Sequence, residues 1–131
     1  MSVRSFAVFL TITALGAGAA SATQVCDPNQ ALSGATVFAD NCALCHGADG
    51  QGGKTPKGAV APDLTALTRN AQGKFPAPLL ADIIRYGGSM PDHGMGSEMP
   101  VWARIFSAEC GPVYSRRVVV ELTKYVEGLQ K

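Results

Sequence analysis

The 131-residue sequence has little charge and few aromatic side chains, and these shortages narrow the classes of protein it can belong to. Its 11 Lys and Arg nearly match its 10 Asp and Glu, so the formal net charge is only +1. Without an excess of one sign, the composition does not favour binding to nucleic acid or to an acidic lipid surface. Hydrophobic residues still make up 47% of the chain, which excludes intrinsic disorder. The length allows one domain and excludes an enzyme with separate cofactor and substrate domains.

Residues 1–22 have the form of a secretory signal peptide. Arg4 supplies a positive start, Phe6–Leu15 is an apolar stretch, and Ala20–Ala22 has the small-x-small pattern of a cleavage site. The apolar stretch is too short to span a membrane stably. We therefore expect cleavage of residues 1–22, export to the periplasm, and one domain over residues 23–131; a retained N-terminal anchor is the alternative.

Three to five helices joined by glycine-rich loops are predicted for residues 23–131. Apolar spacing and proline positions indicate helices over the following ranges: Ala31–Cys45, Leu79–Tyr86, Pro100–Ser107 and Val113–Leu129. Gly47–Gly58 is rich in glycine and is predicted to be a loop. Loops of this length are uncommon in a compact domain unless something fills the space between them. The pattern therefore favours a chain folded around a large non-protein core.

The run Cys42-Ala43-Leu44-Cys45-His46 is a C-x-x-C-H motif at the end of a predicted helix. Two thiols one helical turn apart can form thioethers with the two vinyl groups of one haem, and the following histidine can bind its iron. A redox disulfide is an alternative, but the expected βαβ context is missing. A zinc site needs four ligands, and His93 is remote from the other three. Gly53-Lys54-Thr55 matches the end of a phosphate loop, but the required earlier glycine is absent.

With this motif in place, the sequence resembles the class I, or small soluble monohaem, cytochromes c over roughly residues 31–130. The resemblance is carried by Gly34, Phe38, the motif with Gly47, Ala61-Pro62-Asp63-Leu64, Met99-Pro100-Val101-Trp102 and Tyr125. It implies an all-α cytochrome c fold in which helices and glycine-rich loops wrap around one haem c, attached covalently through Cys42 and Cys45. It also implies that the first and last helices cross near Gly34 and Tyr125, with Phe38 beside them.

Two ligands to the haem iron follow from the motif and from the resemblance. His46 is the first, and by resemblance the Pro62 carbonyl accepts a hydrogen bond from its other ring nitrogen. Met99 is predicted as the second, because its thioether suits low-spin haem iron and Pro100 fixes the backbone after it. The alternatives are Met90, which also precedes a proline, and then Met95 and His93.

Cys26 and Cys110 remain once the motif cysteines are assigned to haem. They form an even pair in a compartment where disulfides persist, and the crossing of the terminal helices would let their segments approach. A disulfide between them is therefore expected, with two buried free thiols as the alternative.

The predicted function is that of a periplasmic one-electron carrier between larger redox proteins, with haem iron ligated by His46 and Met99. No catalytic set of residues supports an enzyme, so we expect an electron-transfer protein. The alternative is a dedicated haem c subunit of a periplasmic oxidoreductase complex. A haem sensor is less favoured, because Met99 would fill the sixth position. Larger redox proteins are the expected partners, without nucleic acid or stable membrane insertion, and the chain is expected to be monomeric or to form transient complexes.

Overall fold

A computed structural model describes Cys26, residues 32–87, Met90 and residues 98–131. The predicted signal peptide lies outside the described residues, and so do His93 and Met95. The elements follow one another as α1 (Gly34–Asn41), α2 (Ala43–His46), β1 (Gly53–Lys54), β2 (Val60–Ala61), α3 (Leu67–Asn70), α4 (Ala77–Tyr86) and α5 (Trp102–Gly128). The architecture is mostly helical, as a cytochrome c-like fold requires.

The all-α prediction needs one correction, because β1 and β2 form a small antiparallel sheet. Gly53 pairs with Ala61, and Lys54 pairs with Val60. The connecting turn is closed by the backbone N–H of Thr55, which donates to the Ala59 carbonyl over 2.8 Å. Three of the four paired residues are exposed. A strand without a buried face carries no alternation of apolar and polar residues, so the sequence predicted only a loop here.

The predicted helix over residues 31–45 is divided into α1 and α2 at Cys42. The Ser33 hydroxyl caps α1 by accepting from the Thr36 N–H over 3.3 Å, so the helix begins at Gly34 rather than Ala31. Cys42 has φ −110° and ψ −34°, a departure from ideal helix that separates the two elements. Gly47 ends α2 with a positive φ of 77°, which glycine adopts without steric cost.

Helix α5 joins two segments that were predicted as separate helices. Gly111 between them has φ 82° and ψ 171°, which is not helical, and Pro112 follows it. The buried Ser115 hydroxyl donates to the Ala103 carbonyl over 3.0 Å and so bridges the kink. The kink has an identifiable cause in this Gly-Pro pair. The predicted break is therefore confirmed, although helical assignment continues across it.

The hydrophobic core lies where α1 and α4 pack against α5. Its buried members are Phe38, Leu80, Ile84, Phe106, Val118, Val119, Leu122 and Val126. The predicted crossing of the first and last helices is confirmed. A β-carbon built on Gly34 would lie 2.9 Å from the β-carbon of Tyr125, and the Phe38 and Tyr125 rings are 5.1 Å apart. Only a residue without a side chain lets the two helices approach this closely.

The end of α5 is fastened to the segment between β2 and α3 by Gln130. Its side-chain amide donates to the carbonyls of Leu64 and Val126 over 2.8 and 2.7 Å, and its side-chain oxygen accepts from the Thr68 N–H over 2.8 Å. These bonds use the donor and acceptor groups of one side chain to join segments that are remote in sequence. The segment that follows Pro62 is therefore held against the last helix.

Cys26 and Cys110 lie side by side, with their sulfur atoms in bonding contact and their Cα atoms 5.2 Å apart. This geometry brings Cys26 to the kink of α5, as the crossing of the terminal helices implied. None of the helices in the described part of the chain is both long enough and apolar enough to cross a membrane.

Candidate functional site

The C-x-x-C-H motif consists of Cys42, which separates α1 from α2, and the four residues of the short helix α2. Cys42 precedes α2, whereas Cys45 and His46 belong to it. Both thiols are free of disulfide bonds and partly buried. The backbone N–H groups of Cys45 and His46 both donate to the Cys42 carbonyl, over 3.1 and 2.9 Å. The backbone of the motif is therefore held as one tight turn.

The imidazole of His46 is oriented by Pro62, as the resemblance implied. Its Nδ1 atom lies 3.1 Å from the Pro62 carbonyl oxygen. Because a carbonyl can only accept, this contact requires the hydrogen on Nδ1 and leaves the Nε2 lone pair free to bind a metal ion. Pro62 has no N–H of its own and a fixed φ, so its carbonyl is presented from a restrained backbone.

Two glycines in the loop after the motif let the strands pack against it. The Gly52 N–H donates to the His46 carbonyl over 2.8 Å. A β-carbon on Gly52 would lie 2.6 Å from the Ala61 carbonyl oxygen, and one on Gly53 would lie 2.9 Å from the Cys45 carbonyl oxygen. A side chain on Gly52 would push the Pro62 segment away, and one on Gly53 would push β1 away from the Cys45 backbone. The glycine-rich sequence is thus required by the close approach of three backbone segments.

Asp63 stabilises the turn that follows Pro62. Its carboxylate accepts from both the hydroxyl and the backbone N–H of Thr65, each over 2.7 Å. These two hydrogen bonds, the hydroxyl first, hold the pKa of the exposed Asp63 carboxyl below its usual value. Burial opposes this shift, and the charges of Lys131 and Arg69 support it. The turn therefore keeps an ionised carboxylate next to the histidine support.

The Cys42 thiol lacks the lowered pKa of a redox-active cysteine. Burial, and secondarily the neighbouring Cys45, raise the pKa of Cys42 to about 11. The nucleophilic cysteine of a redox dithiol pair has a lowered pKa instead. In the described part of the chain, no three His, Cys, Asp or Glu side chains gather as ligands of a metal ion. The raised pKa of Cys42 does not favour the redox-disulfide alternative, whereas the zinc alternative involves His93, which lies outside the described residues.

The donor set fits the attachment of a haem c. Two unpaired thiols flank one turn of backbone, and the histidine that follows them exposes only its Nε2 lone pair. A soft thioether-forming pair and one fixed imidazole are the groups that such attachment needs on one side of a haem. Cys42, Cys45 and His46 lie on one hydrogen-bonded turn of backbone, and their role toward haem stays a prediction.

Met99 lies apart from this cluster, in the segment that enters α5. Its side chain is partly buried against the core, and the Trp102 and Phe106 rings are stacked 5.4 Å apart in the first turns of the helix. Met90 is also partly buried, and its N–H donates to the Gly87 carbonyl over 3.2 Å. Met99 alone of these two methionines packs against the core cluster. The role of Met99 as an iron ligand remains a prediction, and Met90 remains the alternative.

Two residues of the site region carried no functional prediction from the sequence. Gly87 follows the predicted helix Leu79–Tyr86, and a β-carbon built on it would collide with the backbone of Met99 and Pro100. Gln130, near the chain end, gave no signal, because its partners Leu64 and Thr68 are more than sixty residues away in sequence. Only a three-dimensional contact could have identified either residue.

Comparisons with known proteins agree with the cytochrome c character of the motif. Residues 29–110 match the family model described as cytochrome c oxidase, cbb3-type, subunit III. The chain is also similar to a protein named cbb3-type cytochrome c oxidase subunit FixPc from Rhizobium leguminosarum bv. viciae. The two are 42% identical over 78 residues, which cover 59% of this chain and 23% of the relative. The chain thus matches about a quarter of that relative's length. No solved structure matches.

Proposed function

Because the chain belongs to the cytochrome c family of cbb3-type oxidase subunit III, we propose that it is a haem c subunit that passes single electrons within an oxidase complex. The named relative is a subunit of such an oxidase, which favours this hypothesis over a freely diffusing carrier. The free periplasmic carrier is the second candidate, because a one-electron site of this kind serves either protein. The class I assignment, with a single haem, is part of the proposal.

One observation carries the proposal: the His46 ring is fixed by Pro62 with Nε2 as its only free nitrogen. An axial ligand must keep one orientation while the iron changes oxidation state, because reorientation would slow electron transfer. A hydrogen bond from Nδ1 to a restrained carbonyl supplies that constraint and raises the basicity of the ligating nitrogen. The loop after the motif also fixes the backbone that carries this ring, because the Gly52 N–H donates to the His46 carbonyl.

The remaining roles follow from the chemistry of each side chain. Cys42 and Cys45 would hold one haem c through thioether bonds, His46 would bind the iron, and Met99 would be the sixth ligand. The bound haem supplies the ferrous–ferric couple. The chain would supply ligands and a low-dielectric wall. We assign Trp102, whose ring stacks on Phe106 of the core, to that wall. A neutral thioether raises the reduction potential relative to a second histidine.

Export and the Cys26–Cys110 bond are further parts of the proposal. The leader pattern in residues 1–22 supports a periplasmic location, where haem c attachment and disulfides are both expected. The bonding contact of Cys26 with Cys110 supports a disulfide in the mature protein.

Affinity purification of the tagged holoprotein from detergent-solubilised membranes distinguishes the two candidates. We expect it to copurify with a catalytic oxidase subunit at fixed stoichiometry through successive columns and at raised salt. The untagged strain is the control for nonspecific recovery. Recovery of fully haem-loaded protein alone in the periplasmic fraction would contradict the subunit hypothesis and favour the free carrier.

The sixth-ligand assignment predicts a specific spectroscopic loss. Met99→Ala should abolish the weak near-infrared band of iron–sulfur ligation in the ferric protein, because alanine has no thioether. The matched control is Met90→Ala, which should keep the band. Loss of the band in Met90→Ala with survival in Met99→Ala would transfer the assignment to Met90.

A further inference from the structure

Gly87 ends α4 with a backbone conformation that only glycine adopts readily. Its φ is 51° and its ψ is −136°, and its N–H donates to the Ile83 carbonyl to close the last turn of the helix. This combination lies outside the regions open to residues with a β-carbon. Gly87 is also buried, so a side chain there would have no solvent to enter.

The position that a β-carbon of residue 87 would occupy is filled by the backbone of Met99 and Pro100, the segment that carries the predicted sixth ligand. A β-carbon built on Gly87 would lie 2.6 Å from the Met99 carbonyl oxygen and would collide with the Pro100 carbonyl group. Both obstacles are backbone atoms, which cannot swing aside as the end of a flexible side chain can. The Met99–Pro100 backbone therefore rests directly on the end of α4.

The two helices on either side of this contact form a rigid frame. Leu80 and Ile84 of α4 share the core with Phe106 of α5, and α5 begins at Trp102, three residues after Met99. Because both helices are held in place by this core, the contact with Gly87 determines how closely the Met99 backbone approaches the end of α4. The Gly87 carbonyl also accepts from the Met90 N–H, so Gly87 contacts both Met90 and the Met99–Pro100 backbone.

We propose that Gly87 is a positioning residue for the Met99 thioether: it holds the Met99–Pro100 backbone at the depth from which the sulfur ligates the haem iron. This inference rests on the proposed function, since it assumes a bound haem and Met99 as its sixth ligand. Its effect on ligation is exerted through backbone contact, and Gly87 itself touches neither iron nor haem.

The test compares Gly87→Ala with Gly73→Ala in the ferric holoprotein. Gly73 also has a positive φ, of 87°, but nothing lies within 4 Å of a β-carbon built there. The control therefore reproduces much of the backbone strain without the collision. We expect Gly87→Ala to lose most of the near-infrared iron–sulfur band and to bind added imidazole about tenfold more tightly or better. Gly73→Ala should keep the band and the wild-type imidazole affinity.

A double-mutant cycle separates this role from general destabilisation. If Gly87 acts through Met99, adding Gly87→Ala to Met99→Ala should leave the imidazole affinity unchanged, because the competing thioether is already gone. An intact band and wild-type imidazole affinity in Gly87→Ala would overturn the inference. Persistence of the band in Met99→Ala would instead overturn the assumed ligand, so the two failures are distinguishable.

A second variant covers the case in which Gly87→Ala does not accumulate as folded holoprotein. Pro100→Ala keeps the carbonyl but releases the ring restraint on φ, so the backbone can lift from Gly87. It should weaken the band and raise imidazole affinity in the same direction, by a smaller factor. A Pro100→Ala protein identical to wild type in both readouts would contradict the proposed contact.

Discussion

Asp63 illustrates how a single exposed side chain can support the site. Its carboxylate accepts two hydrogen bonds from Thr65, in the turn directly after the residue that orients His46. Both bonds favour the ionised form, which explains the lowered pKa of Asp63. The run Ala61-Pro62-Asp63-Leu64 is part of the resemblance, but only the structure shows that Asp63 stabilises the turn by accepting from Thr65.

The lowered pKa of Asp63 predicts a particular acid dependence of stability. Because the folded pKa lies below the unfolded value, near 3.8, the stabilisation is complete above that value. It is lost as the pH falls through the folded pKa. The free energy of unfolding, measured with urea, should therefore fall more steeply below about pH 4 for the wild type than for Asp63→Asn.

Thr65→Val is the matched variant for this experiment. It keeps the buried volume of Thr65 and its backbone N–H, but it removes the hydroxyl that contributes most to the shift. The pKa of Asp63, followed by NMR titration, should move up toward its ordinary value. An unchanged Asp63 titration in Thr65→Val would show that the hydroxyl bond does not set the pKa.

At the scale of elements, the crossing of α1 and α5 depends on one residue without a side chain. Gly34 meets the backbone of Glu121 and the β-carbon of Tyr125, and the Phe38 and Tyr125 rings pack beside this point. The resemblance implied the crossing from Gly34, Phe38 and Tyr125. It did not reveal that a β-carbon on Gly34 would lie nearest to a backbone carbonyl of α5. A clash with backbone cannot be relieved by a change of side-chain rotamer.

Gly34→Ala is predicted to destabilise the protein by about 1–3 kcal/mol, the usual cost of overpacking a rigid interface. Urea unfolding of the holoprotein measures the change. Gly128→Ala is the matched control, because this glycine also lies in a helix but nothing lies within 4 Å of a β-carbon built there. The control should gain up to about 1 kcal/mol through helix propensity. Equal effects at both positions would argue against the close crossing.

The elements that were mispredicted share a physical cause. β1 and β2 bury almost nothing, so no apolar pattern marked them. The division of the first helix at Cys42 arises from one residue's dihedral angles, to which hydrophobic spacing is insensitive. In contrast, the Gly111-Pro112 break in α5 was predictable, because both residue types interrupt helices through backbone chemistry.

At the scale of the whole molecule, Cys26 and Gln130 each contact segments that are distant in sequence. Gln130 joins the end of α5 to Leu64 and Thr68, and Cys26 lies in bonding contact with Cys110 at the kink. Both connections span most of the domain sequence. The Gln130 contact holds the segment that follows Pro62, and the Cys26 contact lies at the kink of α5.

The proposed disulfide predicts a measurable contribution to global stability. Replacing both partners, as Cys26→Ser with Cys110→Ser, should lower the free energy of unfolding by about 2–5 kcal/mol, since the bridge closes a long loop. Urea unfolding of the holoprotein would measure this loss. Intact mass after alkylation without reductant checks the bond itself. A gain of two alkyl groups by the denatured wild type would exclude the bridge.

The sequence by itself determined the chemistry of the site. The spacing of Cys42, Cys45 and His46 specifies which thiols and which imidazole form one turn, because ligand spacing within a turn is a local property. Apolar periodicity likewise located α4 and the second part of α5, which depend on one buried face. Tertiary structure decided what those local patterns could not encode. It shows the Pro62 contact to His46 that the resemblance implied, and it adds two contacts that nothing in the sequence indicated: the Met99 backbone against Gly87, and the contact of Gln130 with Leu64. These contacts join residues far apart in sequence, and their geometry exists only once the helices have packed.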